Sequence, residues 1–155
     1  SAYVARSTEW ALDTLAPAPG HRVLDLGCGT GHLLARLREL IPTAHACGLD
    51  ITRRMLDVAR RRNPDVPLVQ ASGTRLPFAE AQFDAVVSTS ALHYLSDPLP
   101  AMREMHRVLA PGGTVVITDW CRDDWRVCLL DFGLRTVLRP LDRAHARALR
   151  SHELK

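Results

Sequence analysis

The sequence predicts an α/β domain built on a parallel sheet with helices on both faces. Strands and helices alternate between residues 20 and 120, and each strand is a nearly continuous apolar run, as in strands that are buried on both faces. In addition, the first strand leads through a glycine-rich turn directly into a helix. Because ligands of such a doubly wound sheet bind beyond the carboxyl ends of its strands, we expect a ligand site after the first strand.

The individual elements follow from apolar spacing and from the residues that end each run. We predict strands over residues 22–26, 44–50, 66–70, 83–88 and 114–119, and helices over 3–15, 30–40, 52–62 and 99–109. Proline follows the first three helices, and the turn at Pro111-Gly112-Gly113 closes the fourth. Beyond residue 120 the pattern predicts helices over 125–138 and 142–150, the start of another at 151–154, and no clear strand.

Composition limits the compartment and the partners. No apolar run approaches the roughly 20 residues that a membrane span needs, so we expect no membrane partner. The four cysteines form neither a C-x-x-C pair nor a disulfide framework, which favours a reducing, cytoplasmic location. The chain opens without a methionine or a signal pattern, so we interpret it as a fragment of a cytoplasmic protein. The net charge of +3 lies in residues 121–155 and is too small to indicate a nucleic-acid partner.

A ligand loop lies between the first strand and its helix. Gly27, Gly29 and Gly31 alternate in a turn that opens a helix, where unpaired N–H groups and the positive end of the dipole attract an anionic group. Asp50 closes the second strand, at a place where a carboxylate can accept both hydroxyls of a ribose. The order strand, glycines, helix, strand and acid therefore predicts a nucleoside-containing ligand.

Two classes of nucleoside cofactor fit this arrangement to different degrees. A dinucleotide site has the pattern G-x-G-x-x-G, whereas here His32 occupies the position of the last glycine and Gly31 comes one residue earlier. Asp25 also lies two residues ahead of the first glycine. This spacing disfavours a nicotinamide-dependent oxidoreductase, which we keep as an alternative function.

The stretch from Val23 to Gly31 resembles motif I of the class I S-adenosylmethionine-dependent methyltransferases. Further stretches match in that family's order and spacing, at Leu49-Asp50, at residues 75–78 with 83–88, at 91–94 and at 109–113. The matches cover about residues 20–120, and the branch most resembled is the small-molecule one that includes the ubiquinone and menaquinone biosynthesis enzymes. The resemblance implies a Rossmann-like sheet of strand order 3-2-1-4-5 and an enzyme that moves the methyl of S-adenosylmethionine to an O, N or C atom of a small organic acceptor.

The resemblance also implies which residues hold the methionyl part of this cofactor. Gly27, Gly29 and Gly31 would let the backbone approach the methionyl group, and Asp25 would lie near its ammonium. Ser88, at the end of the fourth strand, would offer its carbonyl oxygen near the same amino group.

For the nucleoside part, the resemblance implies that Asp50 holds the ribose hydroxyls and that Ile51 packs on the adenine face. The turn at Ser72-Gly73 would reach the adenine edge. The family usually has an aspartate where Ser72 stands, and a hydroxyl accepts a hydrogen bond more weakly than a carboxylate does. This departure predicts weaker binding of the cofactor.

Methyl transfer requires little acid–base catalysis by the protein, because a sulfonium methyl group is already activated. In-line placement of the nucleophilic atom of the acceptor supplies much of the rate acceleration. If the acceptor must lose a proton, His93 is the only histidine in a segment predicted to border the pocket, and its titration range suits a general base. A histidine that packs beneath the substrate or caps a turn is the structural alternative. Cys121 and Cys128 are assigned to core packing, and we predict no metal site.

We interpret residues 1–155 as a single domain, with a leading helix or lid over 1–19, the cofactor-binding core over 20–120 and a truncated helical part over 121–155. The family that the chain resembles continues past the fifth strand with a helix, a sixth strand and an antiparallel seventh. Because no stretch after Asp119 reads as a clear strand, strands six and seven are expected to be missing. An incomplete sheet edge would invite a homodimer. Besides methyl transfer and the oxidoreductase alternative, a non-catalytic cofactor-binding or scaffold domain remains open.

Overall fold

A computed structural model describes residues 2–119, 126–131 and 135–140, with side chains described over 5–119. In chain order the elements are α1 Ala2–Leu15, β1 Arg22–Leu26, α2 His32–Leu40, β2 His45–Asp50, α3 Arg53–Arg62, β3 Leu68–Gln70, β4 Phe83–Thr89, a 3-10 turn Leu92–Tyr94, α4 Leu99–Val108, β5 Leu109–Thr118, β6 Arg126–Asp131 and β7 Arg135–Pro140. All four predicted helices and all five predicted strands of residues 2–119 are present. The α/β fold class is therefore confirmed.

The sheet has the order β3-β2-β1-β4-β5-β6-β7, and its first five strands are parallel. The predicted order 3-2-1-4-5 is thus confirmed. Because β1 pairs with β2 on one side and with β4 on the other, the chain reverses its direction of winding at β1. The loops that follow β1 and β4 diverge there and open a crevice at the carboxyl ends of the strands.

The segment beyond β5 differs from the prediction. The predicted helix over residues 125–138 is wrong where the structure describes it, because β6 pairs antiparallel with β5 and β7 pairs antiparallel with β6. The expected absence of strands after β5 is corrected in the same way, and β5 is not a sheet edge on which a dimer could form. Apolar runs as short as Val127 to Leu130 fit a helix and a strand equally well, and the pairing with β5 favours the strand. The predicted helices at 142–150 and 151–154 lie outside the described residues.

Two apolar layers pack on opposite faces of the sheet. On one face Leu24, Val86 and Val115 join Ala101, Met105 and other core residues of α4. On the other face Val23, Val87 and Val116 pack with buried leucines of α1 and α2. The alternation of these strand residues between the two faces is the two-residue period of a strand, so the predicted covering of both faces is confirmed.

Element boundaries shift slightly from the predicted ones. The first glycine loop extends to Gly31, and α2 begins at His32 instead of residue 30. Likewise, α4 ends at Val108 and β5 begins at Leu109, so the Pro111-Gly112-Gly113 segment lies inside β5 rather than between the elements. The β4–β5 pairing shifts register between Phe83 and Ala85, which accommodates that segment. Among the described helices, none combines the length and the apolar character needed to cross a bilayer.

Candidate functional site

A cavity of about 510 Å³ opens at the carboxyl ends of the parallel strands, where β1 and β4 diverge. Its walls come from α1, from the loops after β1, β2, β3 and β4, and from the start of α3. The lining residues are Ser7, Thr8, Asp25, Leu26, Gly27, Cys28, Gly29, Thr30, His32, Leu33, Leu49, Asp50, Ile51, Thr52, Met55, Ala71, Ser72, Gly73, Thr89, Ser90, Ala91, Leu92, Tyr94 and Leu95. The volume lies within the range of small-molecule and cofactor pockets.

The glycine loop after β1 forms one wall, and close packing restricts two of its positions. Gly27 and Gly31 both have positive φ, at 76° and 73°. A Cβ added at Gly27 would lie 2.4 Å from the Cβ of Ala91, and one added at Gly31 would lie 2.5 Å from Nδ2 of Asn63. Glycine is therefore required at both positions by conformation and by space.

Asp50 holds the loop to the next strand. Its Oδ2 accepts a hydrogen bond from the N–H of Gly29 at 2.9 Å, and its Oδ1 accepts one from the N–H of Thr52 at 2.7 Å. The carboxylate thus joins the glycine loop, the end of β2 and the start of α3 at the cavity wall. Each carboxylate oxygen has a further lone pair, so the group can still accept a ligand hydroxyl.

Asp25 is the most deeply buried charge-bearing group in the cavity wall. Its residue is 1% exposed, and its Oδ1 accepts no hydrogen bond from any residue that the structure describes. Burial, and secondarily the charge of Asp50, raises the pKa of Asp25 to about 7. A buried carboxylate without a partner is costly, so a cationic or hydrogen-bond-donating ligand group would be favoured beside it.

The predicted nucleoside-side residues also line the cavity. Ile51 is 67% exposed at its mouth, next to the exposed Met55 of α3. Ser72 and Gly73 follow β3, and the Ser72 hydroxyl lies 2.8 Å from Oγ1 of Thr74 and accepts a hydrogen bond from the Thr74 N–H at 3.2 Å. The Ser72 side chain is therefore engaged within its own turn.

After β4 the structure places the cavity wall one residue later than predicted. Ser88 is buried and does not line the cavity, because β4 continues to Thr89. Thr89, Ser90 and Ala91 line it instead. Ser90 has a φ of 54°, unusual for a serine, and its N–H donates to the carbonyl of Thr118 at 2.7 Å. This bond ties the turn after β4 to the end of β5.

His93 lies beside the cavity mouth but is not among the lining residues. Its Nδ1 is 2.5 Å from Oδ1 of Asp119, and its backbone N–H donates to Oδ2 of the same carboxylate at 2.9 Å. The ring lies 4.0 Å, centroid to centroid, from the ring of Tyr94, which does line the cavity. Asp119, the partner of the predicted base, was not identified from the sequence, because 26 residues separate the two along the chain.

Further residues that the sequence interpretation missed reach the site through packing. Thr8 is buried in α1, and it and Ser7 line the cavity. Thr8 lies one helical turn before the buried Leu12, so a polar residue on an apolar helix face was the available signal. On the other side Asn63, the residue that follows α3, donates from Nδ2 to the carbonyl of Gly31 at 2.9 Å.

The described cysteines are poor nucleophiles. Burial raises the pKa of Cys47 to about 11 and raises the pKa of Cys28 still further, so both remain thiols near neutral pH. No group of three or more His, Cys, Asp or Glu lies close enough to hold a metal ion within the part of the chain that the structure describes. Cys121 lies outside the described residues, and only the backbone of Cys128 is described, in β6.

Comparison with known proteins adds a family. The family described as "methyltransferase domain" matches residues 24–117. The chain is 38% identical over 135 residues to the demethylmenaquinone methyltransferase of Beutenbergia cavernae, a match that covers 86% of this chain and 55% of the relative. The chain spans about half the length of the curated relatives that it matches.

Solved structures show the same fold. The YcgJ protein of Bacillus subtilis is 30% identical with a TM-score of 0.68, and the match covers 74% of this chain and 50% of that one. A Thermotoga maritima protein titled "SAM-dependent methyltransferase, possible histamine N-methyltransferase" is 25% identical with a TM-score of 0.64, over 77% of this chain and 53% of that one.

Proposed function

The chain belongs to the methyltransferase-domain family, and we propose that it transfers the methyl group of S-adenosylmethionine to an O, N or C atom of a small organic acceptor. The resemblance predicted from the motifs is thereby confirmed at the level of the family. The observation that carries the proposed activity is the buried, unpartnered Oδ1 of Asp25 in a cavity walled by the glycine loop and Asp50. A ligand with an ammonium group and a ribose would supply hydrogen-bond donors to both carboxylates, the ammonium to Asp25 and the ribose hydroxyls to Asp50.

The methionyl part is assigned to the β1 side of the cavity. Asp25 would accept from the ammonium group, and Gly27, Gly29 and Gly31 would let the backbone approach the methionyl chain. The carbonyl oxygen of Ser88 is proposed to lie near the same ammonium group. The neighbouring residues Thr89 and Ser90 line the cavity, which supports an approach of this strand end to the ligand.

The nucleoside part is assigned to the β2 and β3 side. Asp50 would accept from the ribose hydroxyls with the lone pairs left over from Gly29 and Thr52, and Ile51 would pack on the adenine face. Ser72 and Gly73 would meet the adenine edge. Because the Ser72 hydroxyl already pairs with Thr74, we expect it to contribute less to binding than a carboxylate would.

For the acceptor we propose a small quinone-type molecule in its reduced form. The relative from Beutenbergia cavernae is named for demethylmenaquinone, and the rim of the cavity beside His93 carries the exposed aromatic side chain of Tyr94. Such a rim suits a flat, largely apolar acceptor, since burying apolar surface is worth about 25 cal/mol per Å². The cofactor supplies an activated methyl group, and the protein places the acceptor in line with it. His93 is proposed as the general base.

The organisation of the chain is proposed as one domain over residues 1–155, with the leading helix over 1–19, the cofactor-binding core over 20–120 and a C-terminal part over 121–155. The contacts of α1 with β4, β5 and α2 support a single domain, because they join the leading helix to the core. A cytoplasmic location, the lack of nucleic-acid and membrane partners, and a homodimer stay predictions. Light scattering of the purified chain measures the last of these.

A methyl-transfer assay tests the proposed function. The protein is incubated with methyl-labelled S-adenosylmethionine and chemically reduced demethylmenaquinone, and labelled product is extracted and counted. We expect transfer by the parent and a loss of at least about tenfold in kcat/KM for Asp50→Asn, which removes one charged acceptor. Asp65→Asn, at an exposed surface pair, is the control and should match the parent. Binding of the cofactor without transfer to this or any acceptor of a quinol, phenol, amine and thiol panel would favour the non-catalytic alternative.

A further inference from the structure

We propose that Asp119 is a positioning residue that holds His93 in the orientation and protonation state of a general base. The proposal rests on the proposed methyl transfer, and it adds a residue that no motif pointed to. One carboxylate makes two contacts with one residue: Oδ2 accepts from the His93 backbone N–H at 2.9 Å, and Oδ1 lies 2.5 Å from Nδ1 of the ring. Backbone and ring are thus fixed together.

The chemistry of the two groups determines which ring nitrogen carries the proton. An ionised carboxylate only accepts hydrogen bonds, so the short contact places a proton on Nδ1 of His93. In the neutral imidazole the other nitrogen, Nε2, then keeps its lone pair and is the basic atom. The side chains of Asp119 and His93 are 16% and 28% exposed, so water competes only partly for this contact.

The surrounding turn places this base at the cavity mouth. His93 lies in the 3-10 turn between Leu92 and Tyr94, both of which line the cavity. The Ser90 N–H holds the beginning of this segment to the end of β5 through the Thr118 carbonyl, and Asp119 is the next residue of the chain. The segment after β4 is therefore held at two successive residues, Thr118 at the end of β5 and Asp119 directly after it, and the acceptor would enter beside the ring.

In the reaction the methyl carbon forms its bond to the acceptor atom while its bond to sulfur breaks and the electron pair stays on sulfur. The proton that the acceptor loses passes to Nε2 of His93. The resulting imidazolium lies against the Asp119 carboxylate, which stabilises the charge without itself taking the proton. The thioether product and the methylated acceptor then leave, and His93 returns its proton to water.

Two readouts separate positioning from a merely structural role. Nitrogen-15 NMR of the histidine rings, recorded at pH 9 with S-adenosylhomocysteine bound, should show the His93 ring of the parent protonated on Nδ1 alone. Asp119→Asn can still accept from the backbone N–H but can present its amide to Nδ1, so the ring should change to the Nε2-protonated form. With reduced demethylmenaquinone as acceptor, kcat should fall by about 10²-fold or more, because general-base catalysis contributes about 10²–10⁴. Affinity for S-adenosylhomocysteine should stay within twofold.

Matched variants identify the group through which Asp119 acts. Asp97→Asn, on the same segment and bonded to the Leu99 N–H, is the control and should leave kcat unchanged. In a His93→Ala background, Asp119→Asn should cause no further loss, since its partner is already gone. If Asp119→Asn fails to fold, the ring state of the parent and the His93→Ala variant still test the proposal.

The proposal is overturned if the parent ring is protonated on Nε2, or on both nitrogens at pH 9, or if Asp119→Asn keeps kcat within threefold of the parent. Additive losses in the double variant, or a tenfold weaker binding of S-adenosylhomocysteine by Asp119→Asn, would also contradict it. A parent that does not bind S-adenosylhomocysteine at all would instead refute the proposed function, so the two failures are distinguishable.

Discussion

Asp25 and its unpartnered oxygen define the site at the scale of single residues. Burial raises the pKa of this carboxyl to about 7, so in the ligand-free protein the carboxyl is largely protonated below that pH. A ligand ammonium favours the ionised form, and its binding below pH 7 must therefore expel a proton. We expect the affinity for S-adenosylhomocysteine to fall as the pH is lowered through 7, approaching tenfold per pH unit.

The Asp25→Asn variant separates this effect from others. It removes the titration together with the charge, so it should bind S-adenosylhomocysteine at least about tenfold more weakly than the parent at pH 8 and show a flatter pH dependence between pH 5 and 8. Calorimetric titrations at four pH values measure both quantities, with Asp65→Asn as the control. An unchanged pH dependence in Asp25→Asn would show that another group titrates on binding.

Residues of the site differ in how far the sequence reveals them. Asp25 and Asp50 could be predicted because each lies at the carboxyl end of an apolar strand, Asp25 as the last but one residue of β1 and Asp50 as the last residue of β2. Asn63 and Asp119 could not, since each reaches the site through a tertiary hydrogen bond to a residue 26 or more positions away. No local pattern of amino acids encodes such a bond.

At the scale of elements, the glycine loop is held from both sides before any ligand binds. Asp50 accepts from Gly29, and the α3 end supplies Asn63 to the Gly31 carbonyl and Arg62 to the Thr30 carbonyl. A preformed loop reduces the ordering cost of binding. Because the end of α3 packs against the loop, there is no room for a side chain at Gly31.

Substitution of Gly31 tests whether the close packing of α3 against the glycine loop requires a glycine at this position. Gly31→Ala should lower both the urea midpoint and the affinity for S-adenosylhomocysteine, because the new Cβ would lie 2.5 Å from Asn63 Nδ2 and 3.1 Å from the Ala59 Cβ. Gly20→Ala is the matched control, with a φ of 81° but open space around it, so it reports the cost of backbone strain alone, about 1–2 kcal/mol. Equal losses of stability in the two variants, with unchanged affinity, would contradict a packing requirement.

The ion pair of Arg22 and Asp84 joins the beginning of β1 to the beginning of β4. The Asp84 carboxylate accepts from the Arg22 side chain and from its backbone N–H, which lowers the pKa of Asp84 to about 2. The stabilisation is therefore present above pH 4 and is lost as the pH falls through 2. Asp84→Asn should lower the urea midpoint at pH 7, and its difference from the parent should shrink to a small fraction as the pH is lowered from 4 to 2. An undiminished difference at pH 2 would show that the stabilisation by the Arg22–Asp84 pair does not depend on the charge of Asp84.

At the scale of the whole molecule, the parallel core could be predicted because each strand is an apolar run separated from the next by a helix with clear ends. The hairpin of β6 and β7 could not, since short runs such as Val127 to Leu130 fit a helix and a strand equally well and only the pairing with β5 decides. The cavity depends on the predicted core, and the winding reversal at β1 positions it. The C-terminal hairpin extends the sheet on the side away from β3.

Calorimetric titration of the parent with S-adenosylhomocysteine, beside an equal titration with NAD, tests directly whether the cavity is a site for S-adenosylmethionine. We expect one molecule of S-adenosylhomocysteine to bind per chain and NAD to bind more weakly or not at all under the same conditions, because the glycine loop lacks the third glycine position of a dinucleotide site. Folded protein that binds NAD more tightly, or that gives no heat with millimolar S-adenosylhomocysteine, would contradict it.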